Sequence, residues 1–98
     1  MMRKLLILDA RDNVAVCLVD LEVGDLIEQD NIKIKVISRI ARGHKIASRE
    51  IAKGEGIIKY GERMGHATSE IKIGEHVHTH NVLGDRLSAE QINMEQKN

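Results

Sequence analysis

Proline is absent from the 98 residues, as are tryptophan and phenylalanine, and there is one tyrosine, Tyr60, and one cysteine, Cys17. Without proline, chain reversals fall to glycine and polar turn residues. With a single aromatic ring, base stacking of the kind used by nucleic-acid platforms is nearly excluded, and the core has to be Ile, Val, Leu and Ala. One cysteine cannot close an intrachain disulfide, which fits a reducing compartment. Within Val14-Ala15-Val16-Cys17-Leu18-Val19 it reads as a small buried hydrophobe. Charge of one sign is missing as well: fifteen basic residues balance fifteen acidic ones, so no general field for polyanions is expected. Long apolar runs are also lacking. Leu5-Leu6-Ile7-Leu8 stops at Asp9, short of the ~7–15 residues of a signal-peptide core, and nothing nears the ~20 of a membrane span. The expectation is one small soluble cytoplasmic domain.

What the chain does have is a repeated phrase. Leu21-Glu22-Val23-Gly24-Asp25-Leu26-Ile27, Ile51-Ala52-Lys53-Gly54-Glu55-Gly56-Ile57 and Ile71-Lys72-Ile73-Gly74-Glu75-His76-Val77 all read aliphatic-x-x-Gly-acid-x-aliphatic. The first aliphatic anchors a turn, glycine permits positive φ, and the acid leads into a strand whose aliphatic residue returns to the core. The spacing between copies is uneven, which excludes a regular solenoid. Leu5 to Leu8 and Val14 to Val19 read as strands around the polar turn Arg11-Asp12-Asn13, and Ile32 to Val36 alternates as a half-buried strand should. Ser48 is placed to cap one helical turn through Lys53, ending at Gly54, and Ser88 with Gln91 could cap another. The expected fold is all-β, of short irregular strands with one or two short helical turns. Residues 1–84 would form the domain and 85–98 a polar tail.

His76-Val77-His78-Thr79-His80-Asn81 holds three of the five histidines. On a strand, His76, His78 and His80 would share one face, with Val77 and Thr79 on the other. Imidazole is a ligand for Zn, Fe, Cu and Ni. Cα atoms two apart on a strand lie about 7 Å from each other, and four apart roughly 13–14 Å. A straight strand therefore offers one ion two adjacent members of the row. The competing reading is a polar strand face bonded to neighbours or water. In Gly43-His44-Lys45, glycine lets backbone approach a ligand and lysine can meet a carboxylate or phosphate; the alternative is a solvated turn. Lys59-Tyr60-Gly61 closes a strand, with Tyr60 read as the one large core residue, its hydroxyl at the rim. His66 is expected at the surface. There is no Gly-x-Ser-x-Gly elbow, no Gly-rich phosphate loop and no cysteine pair. A β-domain this small hardly encloses a substrate, so a second chain is expected to supply half of any catalytic site.

Taken together, Ala41-Arg42-Gly43-His44-Lys45-Ile46-Ala47, Ile51-Ala52-Lys53-Gly54-Glu55, Ile58-Lys59-Tyr60-Gly61, Met64-Gly65 and Gly74-Glu75-His76-Val77-His78-Thr79-His80-Asn81 resemble a known family. The resemblance is to the N-terminal SAF domain of altronate and galactarate dehydratases and to the small alpha subunit of sulfolactate sulfo-lyase. It runs from the first strand to about Val82. It implies a β-clip fold and β-elimination of water or sulfite from a small hydroxy acid, with a divalent metal, iron(II), shared with a large catalytic partner subunit. The chain ends after the SAF domain, which favours a separate small subunit, inactive alone. By resemblance His76, His78 and His80 would contact the metal, and His44 and Lys45 would handle a carboxylate or a proton. Lys59, Tyr60 and Asn81 would orient the substrate. Nucleic acid and membrane are not expected partners, and homo-oligomerisation is left open. The alternatives are a stand-alone SAF module that binds a sugar acid or polyol without chemistry, and a scaffold for a large partner.

Overall fold

A computed structural model describes residues 3–85, and among these every regular element is a β-strand. In chain order the strands are β1 (Leu5–Leu6), β2 (Val14–Cys17), β3 (Leu26–Gln29), β4 (Ile32–Lys35), β5 (Lys45–Ala47), β6 (Gly56–Lys59), β7 (Glu62–Ala67), β8 (His76–Val77) and β9 (Val82–Leu83). A central antiparallel sheet runs β1-β2-β5-β8, flanked by the hairpin β3-β4 and the three-stranded sheet β6-β7-β9. The central sheet is covered on both faces. Alternate residues point opposite ways along a strand, so Ala15, Cys17 and Ile46 enter one core with Leu21, Ile27, Ile34 and Ile40. Val14, Ala47 and Val77 enter the other with Ile51, Ile57, Ala67 and Ile71. Both cores are aliphatic, as the lack of aromatics requires.

The repeated phrase is one turn. Asp25, Glu55 and Glu75 each donate their backbone N–H to the carbonyl three residues back, on Glu22, Ala52 and Lys72. The glycine before each acid has a φ near +90° (95°, 87° and 89°), the requirement of position three in a type II turn. The carboxylates of Asp25, Glu55 and Glu75 then accept the N–H of Glu22, Ala52 and Lys72 at 2.9, 3.0 and 3.1 Å. Each acid thus closes its own turn.

The structure contains a fourth copy that the acid-centred phrase concealed. Ile40-Ala41-Arg42-Gly43-His44-Lys45-Ile46 has Gly43 at φ 88°, and His44 N–H donates to the Ala41 carbonyl at 3.0 Å. The cross-strand bonds also match: Gly43 N–H goes to the Cys17 carbonyl and Cys17 N–H to that of His44, as Gly74 and Ala47 do with Ala47 and Glu75. The four anchors pair as bridges, Leu21 with Ile40 and Ile51 with Ile71. Residues 21–46 and 51–77 are therefore one turn–hairpin–turn–strand unit used twice. The pairing of Ile46 with His76 and Lys45 with Val77 is the register that an internal twofold relation between β5 and β8 requires.

Three expectations are corrected here. Ser48 to Lys53 is not helical; Ile51 is fully buried and bridged to Ile71, so core anchoring overrides the capping signal. Tyr60 is not in the core: it is 37% exposed, at φ 55° in the β6–β7 turn. The strands read over Leu5–Leu8, Val14–Val19 and Ile32–Val36 are shorter, because Asp12 and the type II turns take over their ends. The suggested helix at Ser88 and the polar tail lie beyond the described residues, apart from Asp85.

Candidate functional site

The edge strand β8 is two residues long because Asn81 ends it. Asn81 is 2% exposed. Its Oδ1 accepts the His78 N–H at 2.9 Å, while Nδ2 donates to the His76 carbonyl at 2.8 Å and to Glu75 Oε2 at 3.4 Å. Its own N–H closes a turn onto the His78 carbonyl. Expected to orient a substrate, Asn81 instead has its amide engaged within this chain, where it folds His76–Asn81 back on itself. The straight histidine row is corrected accordingly. Residues that an extended strand would hold far apart are adjacent, and the His76 and His80 ring centroids are 5.1 Å apart.

The folded-back turn meets His44. His44 Nδ1 lies 2.9 Å from His76 Nε2, one nitrogen donating and the other accepting. The His44 ring stacks on His78 with centroids 4.2 Å apart and on His76 at 5.1 Å. One nitrogen from each of His44, His76 and His78 lies within 4.8 Å of the other two. His80 borders the group but is not in that converging set. The register explains this: continuing the β2–β5 and β5–β8 ladders by one residue sets His44 beside Cys17 and His78, on the face that carries His76.

The surroundings of these rings are cationic. Partial burial first, then repulsion from His80, His44, His78 and Lys45, holds His76 below the ordinary imidazole range. His78 is lowered in the same direction by desolvation, His44, Lys45 and His80. Burial, then the charge of Lys59, lowers the ammonium of Lys45. His76 and His78 therefore favour their neutral form, the form that binds a metal or accepts a proton.

Lys59 and Tyr60 end the hairpin on the neighbouring sheet, with Lys59 Nζ 5.2 Å from the Tyr60 ring centroid. A bulky residue at φ 55° is an uncommon conformation, and a residue read in the sequence only as part of a polar turn braces it. Asp12, 3% exposed, accepts the N–H groups of Gly61 at 2.8 Å, Leu8 at 3.2 Å and Asp9 at 3.3 Å. Asn13 beside it holds Gly56 and Ile58 of β6. A polar pair opening an apolar strand, Asp12-Asn13 before Val14, was the available signal. His66 is half-buried rather than free on the surface. It lies in a separate cluster, with Nδ1 3.0 Å from Asp85, which also accepts from Arg63 at 2.6 Å.

The three imidazoles suit a borderline transition metal, since nitrogen donors favour Zn, Fe, Ni or Cu over Mg or Ca. Among the described residues, no helix is long and apolar enough to cross a membrane.

Comparison with known proteins identifies the family of the chain. Residues 3–85 match the sequence model of a family described as the altronate/galactarate dehydratase SAF domain. The chain is 49% identical over 72 residues to altronate dehydratase of Escherichia coli K12, covering 74% of this chain and 14% of that protein. It is 40% identical over 80 residues to altronate dehydratase of Bacillus subtilis 168, covering 82% of this chain and 16% of that protein. With the (2R)-sulfolactate sulfo-lyase subunit alpha of Chromohalobacter salexigens it shares 39% identity over 85 residues, 80% of this chain and 90% of the subunit. The chain thus spans about one-seventh of the altronate dehydratases, 14% and 16%, and nearly all of the alpha subunit.

Proposed function

The chain belongs to the SAF-domain family of altronate and galactarate dehydratases, and from that premise we propose that it is the small component of a hydroxy-acid lyase. In this reading it acts with a large partner subunit on a small hydroxy acid, and the reaction is β-elimination. A proton leaves the carbon α to a carboxylate, and a hydroxyl or sulfite leaves the β carbon. The observation that carries the reading is the convergence of His44, His76 and His78 beside Lys45, from two elements of the chain. Lys45 and Lys59 supply cations for the substrate carboxylate, and Tyr60 supplies a hydroxyl at the rim. The imidazoles of His76 and His78, which favour the neutral form, are suited to accept or relay a proton. His44, His76 and His78 would hold a divalent metal, iron(II) on the family reading. Such an ion polarises the leaving hydroxyl or the carboxylate as a Lewis acid. Coverage of 90% of a sulfo-lyase alpha subunit supports the separate-subunit arrangement.

The test is copurification from the native cell, followed by assays with altronate, galactarate and (2R)-sulfolactate. The account expects a complex with a large subunit that turns over one of them, and no turnover by the 98-residue chain alone. Capture of no partner, together with saturable binding of a sugar acid by the chain alone, would favour the alternative of a binding module.

A further inference from the structure

We propose that His44, His76 and His78 form a three-imidazole site that binds a transition-metal dication without any partner, with His80 outside the ligand set. The sequence row pointed to His76, His78 and His80; the turn geometry exchanges its last member for a residue more than thirty positions away. Three observations carry the exchange.

The first is distance. Nitrogens bound tetrahedrally at 2.0–2.1 Å from one ion lie ~3.3 Å from one another. The His44–His76 nitrogen pair, at 2.9 Å, is already near that separation. The third nitrogen falls within the 4.8 Å limit of the group, so at most about 1.5 Å has to be closed to reach the tetrahedral spacing, within the reach of side-chain rotation.

The second is support. The backbone flanking two of the rings is fixed from outside them: Asn81 grips the His78 N–H and the His76 carbonyl, and the Ser38 hydroxyl accepts the His76 N–H at 3.2 Å. The His44 backbone is held on both sides by Cys17 and Ala41. Ligands set on a braced backbone lose little freedom when they bind an ion.

The third is the turn itself. In the three acid-bearing copies the side chain after glycine is occupied in closing its own turn. In the fourth copy that position is His44, whose Nδ1 is directed to His76 instead. The scaffold closes this turn through its backbone alone, which releases one side chain to the site. A set of three imidazoles with no carboxylate selects Zn(II), Ni(II), Co(II) or Fe(II) over Mg(II) and Ca(II). It leaves open coordination positions, and Lys45 nearby favours an anionic ligand there.

The inference rests on the lyase reading only for what the ion would do; the binding is read from this chain. The test is titration of the metal-free chain with Zn(II) and with Co(II), by calorimetry and by the visible absorption of cobalt. One equivalent is expected to bind, with no response to Mg(II). His44→Gln should weaken binding by more than the roughly 10–100-fold that loss of an outer hydrogen-bond partner costs, while His80→Gln and His66→Gln change it little. X-ray absorption of the zinc-loaded parent chain, which needs no variant to fold, should show three imidazoles. Two imidazoles, no binding, or an equal loss in His80→Gln would overturn the proposal. Failure of the chain to bind zinc, when its purified complex turns over a hydroxy acid, would overturn it and leave the lyase reading standing. Stoichiometric binding by a chain that captures no partner would do the reverse.

Discussion

At the scale of single residues, Asn81 holds the histidine turn and Cys17 reports on the core. Asn81→Ala would leave the part-buried His78 N–H without its acceptor and the His76 carbonyl without its donor. Removing a partner from a buried polar group costs about 1–3 kcal/mol, so urea unfolding should show a loss of that order. The turn would also open, and zinc affinity should fall although no ligand is touched. Cys17 is fully buried, and burial pushes its thiol up to about 11. Since an unfolded cysteine ionises near ~8.5, the unfolded chain holds fewer protons than the folded one between those values. Stability contributed by the neutral thiol is complete below about 8.5 and is lost as pH rises towards 11. Thiol labelling at pH 8 should accordingly proceed no faster than the chain opens. Rapid stoichiometric labelling of the folded protein would contradict the burial.

At the scale of elements, four type II turns carry the architecture, yet their glycines are not equivalent. Gly24 has φ 95° and open space around a virtual Cβ, whereas a Cβ on Gly74 would overlap the Lys35 carbonyl oxygen. Gly24→Ala should cost only the left-handed conformation, about 1–2 kcal/mol. Gly74→Ala should cost clearly more and displace β4, a ranking that thermal melts can check. The Tyr60 turn offers the opposite sign. Asn tolerates positive φ better than a bulky aromatic residue, so Tyr60→Asn should leave the fold intact and raise the urea midpoint modestly. If the proposed lyase assembly holds, it should also weaken substrate binding by that complex, the pattern expected where conformational strain serves a site.

The same elements show what was legible in the sequence. The turn phrase could be read because its chemistry is local: an aliphatic anchor, a glycine and an acid within one turn. The helix suggested at Ser48 went wrong because Ile51 belongs to a bridge with Ile71, a contact that no local pattern contains. His44 and the histidine turn were visible as separate motifs, and the resemblance linked them to one family. Their convergence depends on the β5–β8 register and on Asn81, neither of which the strand period reveals. Asp12 stayed hidden because a polar turn residue and a buried brace look alike until the partner N–H groups are in place.

For the whole molecule, the account is of a duplicated unit whose symmetry is broken at the site. Leu21 and Ile51 are equivalent anchors, Asp30-Asn31 and Tyr60-Gly61 are equivalent hairpin turns, and His44 is the equivalent of Glu75. One half keeps the acid that closes the turn; the other presents an imidazole to the shared edge. Two aliphatic cores on either side of the central sheet hold that edge in register. The direct measurement is long-range proton–nitrogen NMR of the imidazoles while zinc is added to the metal-free chain. The account predicts that the ring nitrogens of His44, His76 and His78 shift together and saturate at one equivalent, while those of His66 stay in place. A response confined to His76, His78 and His80, or one shared equally by His66, would contradict it.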